Sequence, residues 1–178
     1  VTYELVDAEG QVLATADGLG TVQLAANGIT PWTPETPALY TLRVNVTANG
    51  TADTAEQRIG IRTIQVSSKT GLLLNGQPRT MKGGCIHHDL GILGAADHAA
   101  AESRRIRLMK ESGFDAIRAA HNPFGPAFLD ACDELGMLVV EEAFDEWVMG
   151  RTSFGLHVTF EQCWEKDLED MITRDYNH

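Results

Sequence analysis

The stretch that decides the fold is Gly113–Gly150, GFDAIRAAHNPFGPAFLDACDELGMLVVEEAFDEWVMG. Phe114 to Ala119 is short and mostly apolar, as a buried strand is, and Arg118-Ala-Ala-His121 stands where that strand should end. Asn122-Pro123 and Gly125-Pro126 then form a turn, with Pro126 suited to the first turn of a helix. Phe128, Leu129, Cys132 and Leu135 recur at helical spacing, and Gly136 stops the helix. Met137 to Val140 is a second buried strand that delivers Glu141, Glu142, Asp145, Glu146 and Trp147 to one place. Strand, helix and strand with apolar strands predict parallel pairing. Functional side chains at the carboxyl ends of parallel strands are what a β/α barrel site requires.

Outward from this unit the same alternation continues. Downstream, Thr159 and Gln162 form a capping-box pattern, and Phe160, Trp164, Leu168, Met171 and Ile172 make the apolar stripe of a helix. Upstream, Asp97 is placed to cap a helix running to about Ser112, with Ile106 and Met109 on its inner face. Before it, Lys82-Gly-Gly-Cys-Ile-His87-His88-Asp89 reads as the first strand of the barrel with its functional end. Leu72 to Met81 is a hairpin, because Asn75-Gly76 suits the positive backbone angles of a two-residue turn. Residues 67–178 therefore read as the first three strand–helix units of a (β/α)8 TIM barrel.

Residues 1–66 have another texture. Short alternating strands are expected at Val1–Leu5, Val12–Ala16, Thr21–Ala25, Thr41–Thr47 and Ile59–Val66, with Asn49-Gly50 as punctuation. This is the pattern of an immunoglobulin-like β-sandwich, partial because about five of seven strands are visible. The three prolines of Pro31-Trp-Thr-Pro-Glu-Thr-Pro-Ala-Leu-Tyr40 exclude that segment from a central sheet. Core packing accounts for Trp32 and Tyr40.

A net charge of −11 over 178 residues argues against nucleic acid or an anionic membrane surface as partner. No apolar run approaches the ~20 residues that span a bilayer. No targeting segment is visible, and the leaning is cytoplasmic. Three cysteines without metal-ligand spacing read as free thiols. His87, His88 and His121 are too constrained for zinc, since adjacent residues of one strand cannot both turn inward.

Asp115-Ala-Ile-Arg118-Ala-Ala-His121-Asn-Pro123, followed by Asp133-Glu-Leu-Gly136-Met-Leu-Val-Val140, resembles the signature of glycoside hydrolase family 2, which includes β-galactosidases, β-glucuronidases and β-mannosidases. Asp115 and Asn122 replace an asparagine and a tyrosine common in that pattern. The Trp-Pro-Leu-Tyr segment and Gly60-Ile61-Arg62 resemble features of the family's sandwich domain.

The resemblance implies a fragment of a retaining exo-β-glycosidase, with β-galactoside the first choice of β-linked carbohydrate substrate and β-glucuronide the second. It implies that the acid/base and nucleophilic glutamates both lie beyond His178, so that no catalytic carboxylate belongs to this chain. Arg118 matches an arginine that orients the nucleophile, and His88 and His121 match histidines that hydrogen-bond sugar hydroxyls. Asp145 and Glu146 match acidic residues that accept hydroxyl protons or, in some members, bind Mg2+. Trp147-Val148 stands where Mg2+-binding members carry a histidine, which disfavours the metal, so no cofactor is expected. Glu141 and Trp147 join the supporting set; Glu142 alternates to the other side of its strand and reads as structural. His98, His157 and His178 have no constellation around them. The parent enzyme is expected to form a homo-oligomer. Two alternatives stay open: a non-catalytic carbohydrate-binding or structural module, and a different barrel enzyme whose acid pair is Glu141 and Glu146.

Overall fold

Two Asn-Gly pairs set the hairpins of the first half. At Asn49-Gly50 the backbone angles φ are 52° and 78°, and at Asn75-Gly76 they are 51° and 76°. Positive φ at both central residues gives the turn whose twist matches antiparallel strands. The first turn joins β3 (Leu39–Ala48) to β4 (Thr51–Gly60), paired from Leu39↔Gly60 to Ala48↔Thr51. With β1 (Thr2–Val6) and β2 (Val12–Asp17) they form a four-stranded antiparallel sheet in the order β2-β1-β3-β4. The second turn joins β6 (Gly71–Leu74) to β7 (Gln77–Pro78), and β5 (Ile64–Ser67) pairs on the other side of β6. This computed structural model describes residues 1–178 and divides into two compact units, Val1–Arg79 and Thr80–His178.

The first unit departs from the sequence reading in three places, one being that the strand expected over Ile59–Val66 is split between the end of β4 at Gly60 and β5 from Ile64. Residues 21–25 form no strand and belong to an irregular segment. β4 was hidden because Thr51-Ala-Asp-Thr-Ala-Glu-Gln-Arg58 is polar and exposed throughout; an edge strand held by its backbone ladder shows no apolar alternation. The proline segment packs as expected. Trp32 is 2% exposed and donates its backbone N–H to the Ile61 carbonyl at 2.8 Å. Gly60 lies against the indole, and the Arg62 guanidinium sits 5.0 Å above the ring. Buried Tyr40 accepts a hydrogen bond from the Thr30 amide at 2.8 Å. Asn75 ties the second hairpin to the same segment, donating from Nδ2 to the Trp32 carbonyl (3.0 Å) and accepting from the Thr63 amide (2.9 Å).

The second unit is a parallel sheet of three strands, each followed by a helix. β8 (Gly83–Ile86), β9 (Ala116–Ala119) and β10 (Leu138–Glu141) lie in the order β10-β9-β8, and α1 (Ala99–Glu111), α2 (Pro126–Leu135) and α3 (Phe160–Asp175) follow them in turn. The register aligns Cys85, Arg118 and Val140, then Ile86, Ala119 and Glu141. Alternation sends Ile117 and Ala119 into the core with Ile106, Phe124, Phe128, Leu129, Ala131, Cys132 and Met137. Burying each large apolar side chain there contributes roughly 1.5–3 kcal/mol. Arg118, Cys85 and Val140 are exposed on the other face.

Pro126 opens α2 and Gly136 closes it in the left-handed conformation (φ 74°, ψ 57°), both as the sequence implies. The caps differ elsewhere. Asp97 does not cap α1, whose N-cap is His98; its Oδ2 instead accepts from the Ala127 amide at 3.3 Å, in the first turn of α2. Thr159 makes no side-chain cap to α3, its hydroxyl turning back to the Leu156 carbonyl. Of the α3 stripe only Phe160 is buried, while Trp164 and Ile172 are exposed. Cys132 is buried, Cys163 half-buried and Cys85 exposed, all three free. No helix is long and apolar enough to cross a membrane.

Candidate active site

Parallel strands bring their carboxyl ends to one edge, so the residues at and just beyond Ile86, Ala119 and Glu141 are neighbours. Arg118 is the centre of what gathers there. Its Nε donates to Glu142 Oε1 at 2.5 Å, and its Nη1 donates to Cys85 Sγ at 3.3 Å. The second Glu142 oxygen lies 2.8 Å from His121 Nδ1, and Arg118 Nη2 lies 3.4 Å from the same nitrogen. The His87 ring meets the His121 ring edge-on, centroids 5.1 Å apart. The Ala120–His121 peptide is cis.

The electrostatics follow from these contacts. The hydrogen bonds to Cys85 and Glu142 raise the Arg118 guanidinium above its ordinary value. Loss of water pushes the Glu142 carboxyl up, but the hydrogen bonds from His121 and Arg118 outweigh that and hold it below the usual carboxylate range. The cluster is therefore an ionised carboxylate shared between a forked cation and an imidazole.

Glu142, read from the sequence as structural, is the bridging acid, and Glu141 does not join the cluster. Alternation along β10 holds, but with the opposite sense. Val140 shares the Arg118 face, so Glu142 does too, and Glu141 falls with Ala119 on the core side. There its Oε1 accepts from the Phe124 amide at 3.3 Å and stands 3.8 Å from Arg174 Nη2. Burial, the charge of Asp175 and a hydrogen bond to Asp175 raise the Glu141 carboxyl to about 7. Arg174 also donates to the Phe124 carbonyl at 2.6 Å.

The two adjacent histidines divide as strand geometry demands. His87 is the one beside His121, whereas the His88 ring stacks on Phe124 at 4.0 Å between centroids and 20° between planes. His88 Nε2 is buried with no hydrogen-bond partner. The carbonyl of His87 is held by Arg105 Nη1 at 2.9 Å, and Arg105 is paired with buried Glu102 at 2.6 Å.

The acidic residues after β10 form a separate arrangement. Glu146 is 7% exposed; its Oε2 accepts from the Arg151 amide at 2.6 Å and its Oε1 lies 3.2 Å from His157 Nδ1. The Arg151 amide first, and then His157, hold the Glu146 carboxyl below its ordinary range. A methyl group on Gly155 would overlap the Glu146 carboxylate, so a larger residue there must displace that side chain from its contacts. Asp145 pairs with Arg151 Nη2. Trp147 is 65% exposed, its ring stacked against Phe160 at 5.9 Å. His157 thus has a constellation after all, and so has His178, whose Nδ1 lies 2.8 Å from Asp133 Oδ2. Hydrogen bonding to Asp133 raises the His178 imidazole.

These donors bear on the Mg2+ that the resemblance raises. Both Glu146 oxygens are turned to N–H groups of Arg151 and His157, and Asp145 to a guanidinium. Carboxylates engaged by cationic and N–H donors do not fit a hard dication, which needs free oxygens. A cleft of about 380 Å³ is lined by Asn122, Pro123, Phe144, Met171 and Arg174 among others; none of the Arg118, His121 and Glu142 side chains lines it.

The geometry has relatives. The β-galactosidase BoGH2A of Bacteroides ovatus is 39% identical across the whole chain, which covers 22% of that protein. A putative β-glucuronidase of Formosa agariphila is 34% identical over 98% of the chain, covering 18% of its own length. The chain thus spans about a fifth of these curated relatives. Among solved structures, a glycosyl hydrolase family 2 member from Bacteroides cellulosilyticus superposes with a TM-score of 0.93 at 38% identity, over 99% of this chain and 24% of that one. A β-D-glucuronidase from Dictyoglomus thermophilum gives 0.87 at 27% identity, over 99% and 32%. Residues 1–62 match the family model described as glycosyl hydrolases family 2, and residues 64–178 match its TIM barrel domain. A sandwich domain and the start of a TIM barrel domain, each recognised by its own family model, place the chain in glycosyl hydrolase family 2.

Proposed function

We propose that these residues are part of a retaining exo-β-glycosidase acting on terminal β-galactosides, with β-glucuronides as the second substrate class. The observation that carries the reading is the Arg118–Glu142–His121 cluster at the carboxyl ends of three parallel strands. Retention requires two carboxyl groups ~5–5.5 Å apart, one as acid/base and one as nucleophile. Glu141 is joined to Asp175, Glu142 is clamped between Arg118 and His121, and Glu146 is closed in by Arg151 and His157. Each is engaged by a protein partner, and the family resemblance places the working pair beyond His178, outside this chain. Within the chain, Arg118 orients the nucleophile and His121 meets sugar hydroxyls; His87 stands beside His121, while His88, the histidine that the resemblance matches to a sugar contact, is stacked on Phe124. Trp147 offers an apolar face to a sugar ring. The substrate is a β-linked carbohydrate and the reaction uses no metal held by Glu146. The galactoside preference is supported by the name of the 39% identical relative, a β-galactosidase.

The test is turnover of nitrophenyl glycosides by the longer protein that contains the chain. Expected are faster hydrolysis of the β-galactoside than of the β-glucuronide, a first product of retained configuration, and none from the 178 residues alone. Hydrolysis by the 178 residues that disappears with Glu141→Gln or Glu146→Gln would overturn the reading, because the acid pair would then lie inside this chain.

A further inference from the structure

We propose that Glu142 is a positioning residue that fixes the His121 imidazole proton on Nδ1 and sets the ring and the Arg118 guanidinium at a fixed separation. The proposal rests on the glycosidase reading for its kinetic consequence, but not for its structural content.

The argument is one of donor inventory. A guanidinium has only donors and an ionised carboxylate only acceptors. His121 Nδ1 stands between the two, 2.8 Å from Glu142 Oε2 and 3.4 Å from Arg118 Nη2. A bare Nδ1 would place its lone pair against the carboxylate at the shorter of the two distances. A protonated Nδ1 donates to Glu142, and the guanidinium contact is then merely long. The 2.8 Å contact decides for the proton on Nδ1. Nε2 is left as the nitrogen free to accept from a hydroxyl while the ring is neutral.

Glu142 uses its two oxygens on two different residues, Oε1 on Arg118 Nε at 2.5 Å and Oε2 on His121. An amide in its place keeps one acceptor oxygen and sets an NH2 donor on the other side, so Glu142→Gln either releases the guanidinium or the ring or drives the His121 proton from Nδ1 to Nε2. Arg118 is half exposed (47%) and His121 a third (34%), whereas Glu142 is the most enclosed of the three (23%). The carboxylate is thus the fixed point, and the two groups offered to substrate depend on it. β10 holds that point rigidly, because Glu142 directly follows Glu141, the last residue of the strand in the β9–β10 register.

Two measurements test this. In the 178-residue chain at alkaline pH, with the ring neutral, the ¹⁵N shifts of His121 are expected to show the proton on Nδ1. A proton on Nε2 would overturn the proposal whatever the enzyme does. In the longer protein, Glu142→Gln is expected to lower kcat about 100-fold, the scale of an ångström of misplacement, with KM changed less than about threefold. Combined with His121→Phe, the same substitution is expected to add no more than a further threefold, because its route of action has been removed. Losses that multiply in the double variant would make Glu142 an independent structural support and end the proposal. A longer protein that hydrolyses neither glycoside would refute the glycosidase reading instead, leaving the ring proton to decide the structural claim.

Discussion

Glu141 and Asp175 set two carboxyl groups against each other, the last residue of β10 against the last residue of α3, and burial with the Asp175 charge raises the Glu141 carboxyl to about 7. Two carboxyl groups in such proximity avoid repulsion only while one keeps its proton, and Glu141 does so up to about pH 7. Arg174 completes the joint, pairing with Asp175 at 2.5 Å and donating to the Phe124 carbonyl, whose ring packs on His88. The end of α3 is thereby coupled to the loop that carries His121.

This joint should make stability depend on pH. Glu141 holds its proton more tightly folded than unfolded, so its contribution is fully present below about pH 4.5 and is lost as pH rises towards 7. At about 1.4 kcal/mol per pKa unit the loss is at most roughly 3 kcal/mol. Glu141→Gln keeps a neutral hydrogen-bonding group, so its urea stability should match the parent at pH 4.5 and exceed it at pH 8. His178, raised by Asp133, slopes the same way in both proteins and cancels in the difference. Parallel pH curves for the two proteins would show that the Glu141 proton is not held in the fold.

The loop closed on Glu146 gives a second prediction. Gly155→Ala puts a methyl group where the Glu146 carboxylate stands, and that side chain is walled in by the Arg151 amide and His157. The loop must open, so the Arg151 amide should exchange with solvent at least tenfold faster and Trp147 emission should change. His157→Phe should do the same in milder form. Because the Glu146 carboxyl is held below its usual range, the closure should also weaken as pH falls through its folded pKa. Unchanged exchange at Arg151 in both variants would show that the carboxylate does not hold the loop.

The chain's legibility divides along physical lines. The strand–helix–strand unit was readable because Phe128, Leu129 and Cys132 repeat at helical spacing between two apolar strands, with Pro126 and Gly136 as chemical punctuation. β4 was not, since an exposed edge strand has no face that needs apolar residues. The choice between Glu141 and Glu142 was invisible for another reason. Alternation fixes that they part company but not which one faces Arg118, and that sense is set by the tertiary placement of Val140 and Ile117. Likewise the resemblance singles out His88, whereas the fold stacks the His88 ring on Phe124 and sets His87 beside His121, a placement that the sequence pattern does not encode. Asp97 capping α2 and His157 meeting Glu146 are contacts across 30 and 11 residues, beyond any local signature.

The last prediction concerns the support beneath His87. Glu102 and Arg105 face each other on α1, their side chains only 5% and 15% exposed, with Nη2 2.6 Å from the carboxylate. Arg105 also donates to the His87 carbonyl and lies over the rings of Phe124 and Phe128, 5.6 and 5.9 Å from their centroids. Arg105→Ala removes the cation but leaves the carboxylate enclosed, which costs about 3–5 kcal/mol, more than the pair itself contributes. Glu102→Leu with Arg105→Met removes both charges and keeps the volume, so it should recover most of that loss. The carbonyl of His87 loses its donor in both variants. The His87 resonances should therefore move in both, while the urea midpoint falls steeply only in Arg105→Ala. An equal fall in both would mean that Arg105 stabilises the unit through its packing on Phe124 and Phe128 and not through its charge.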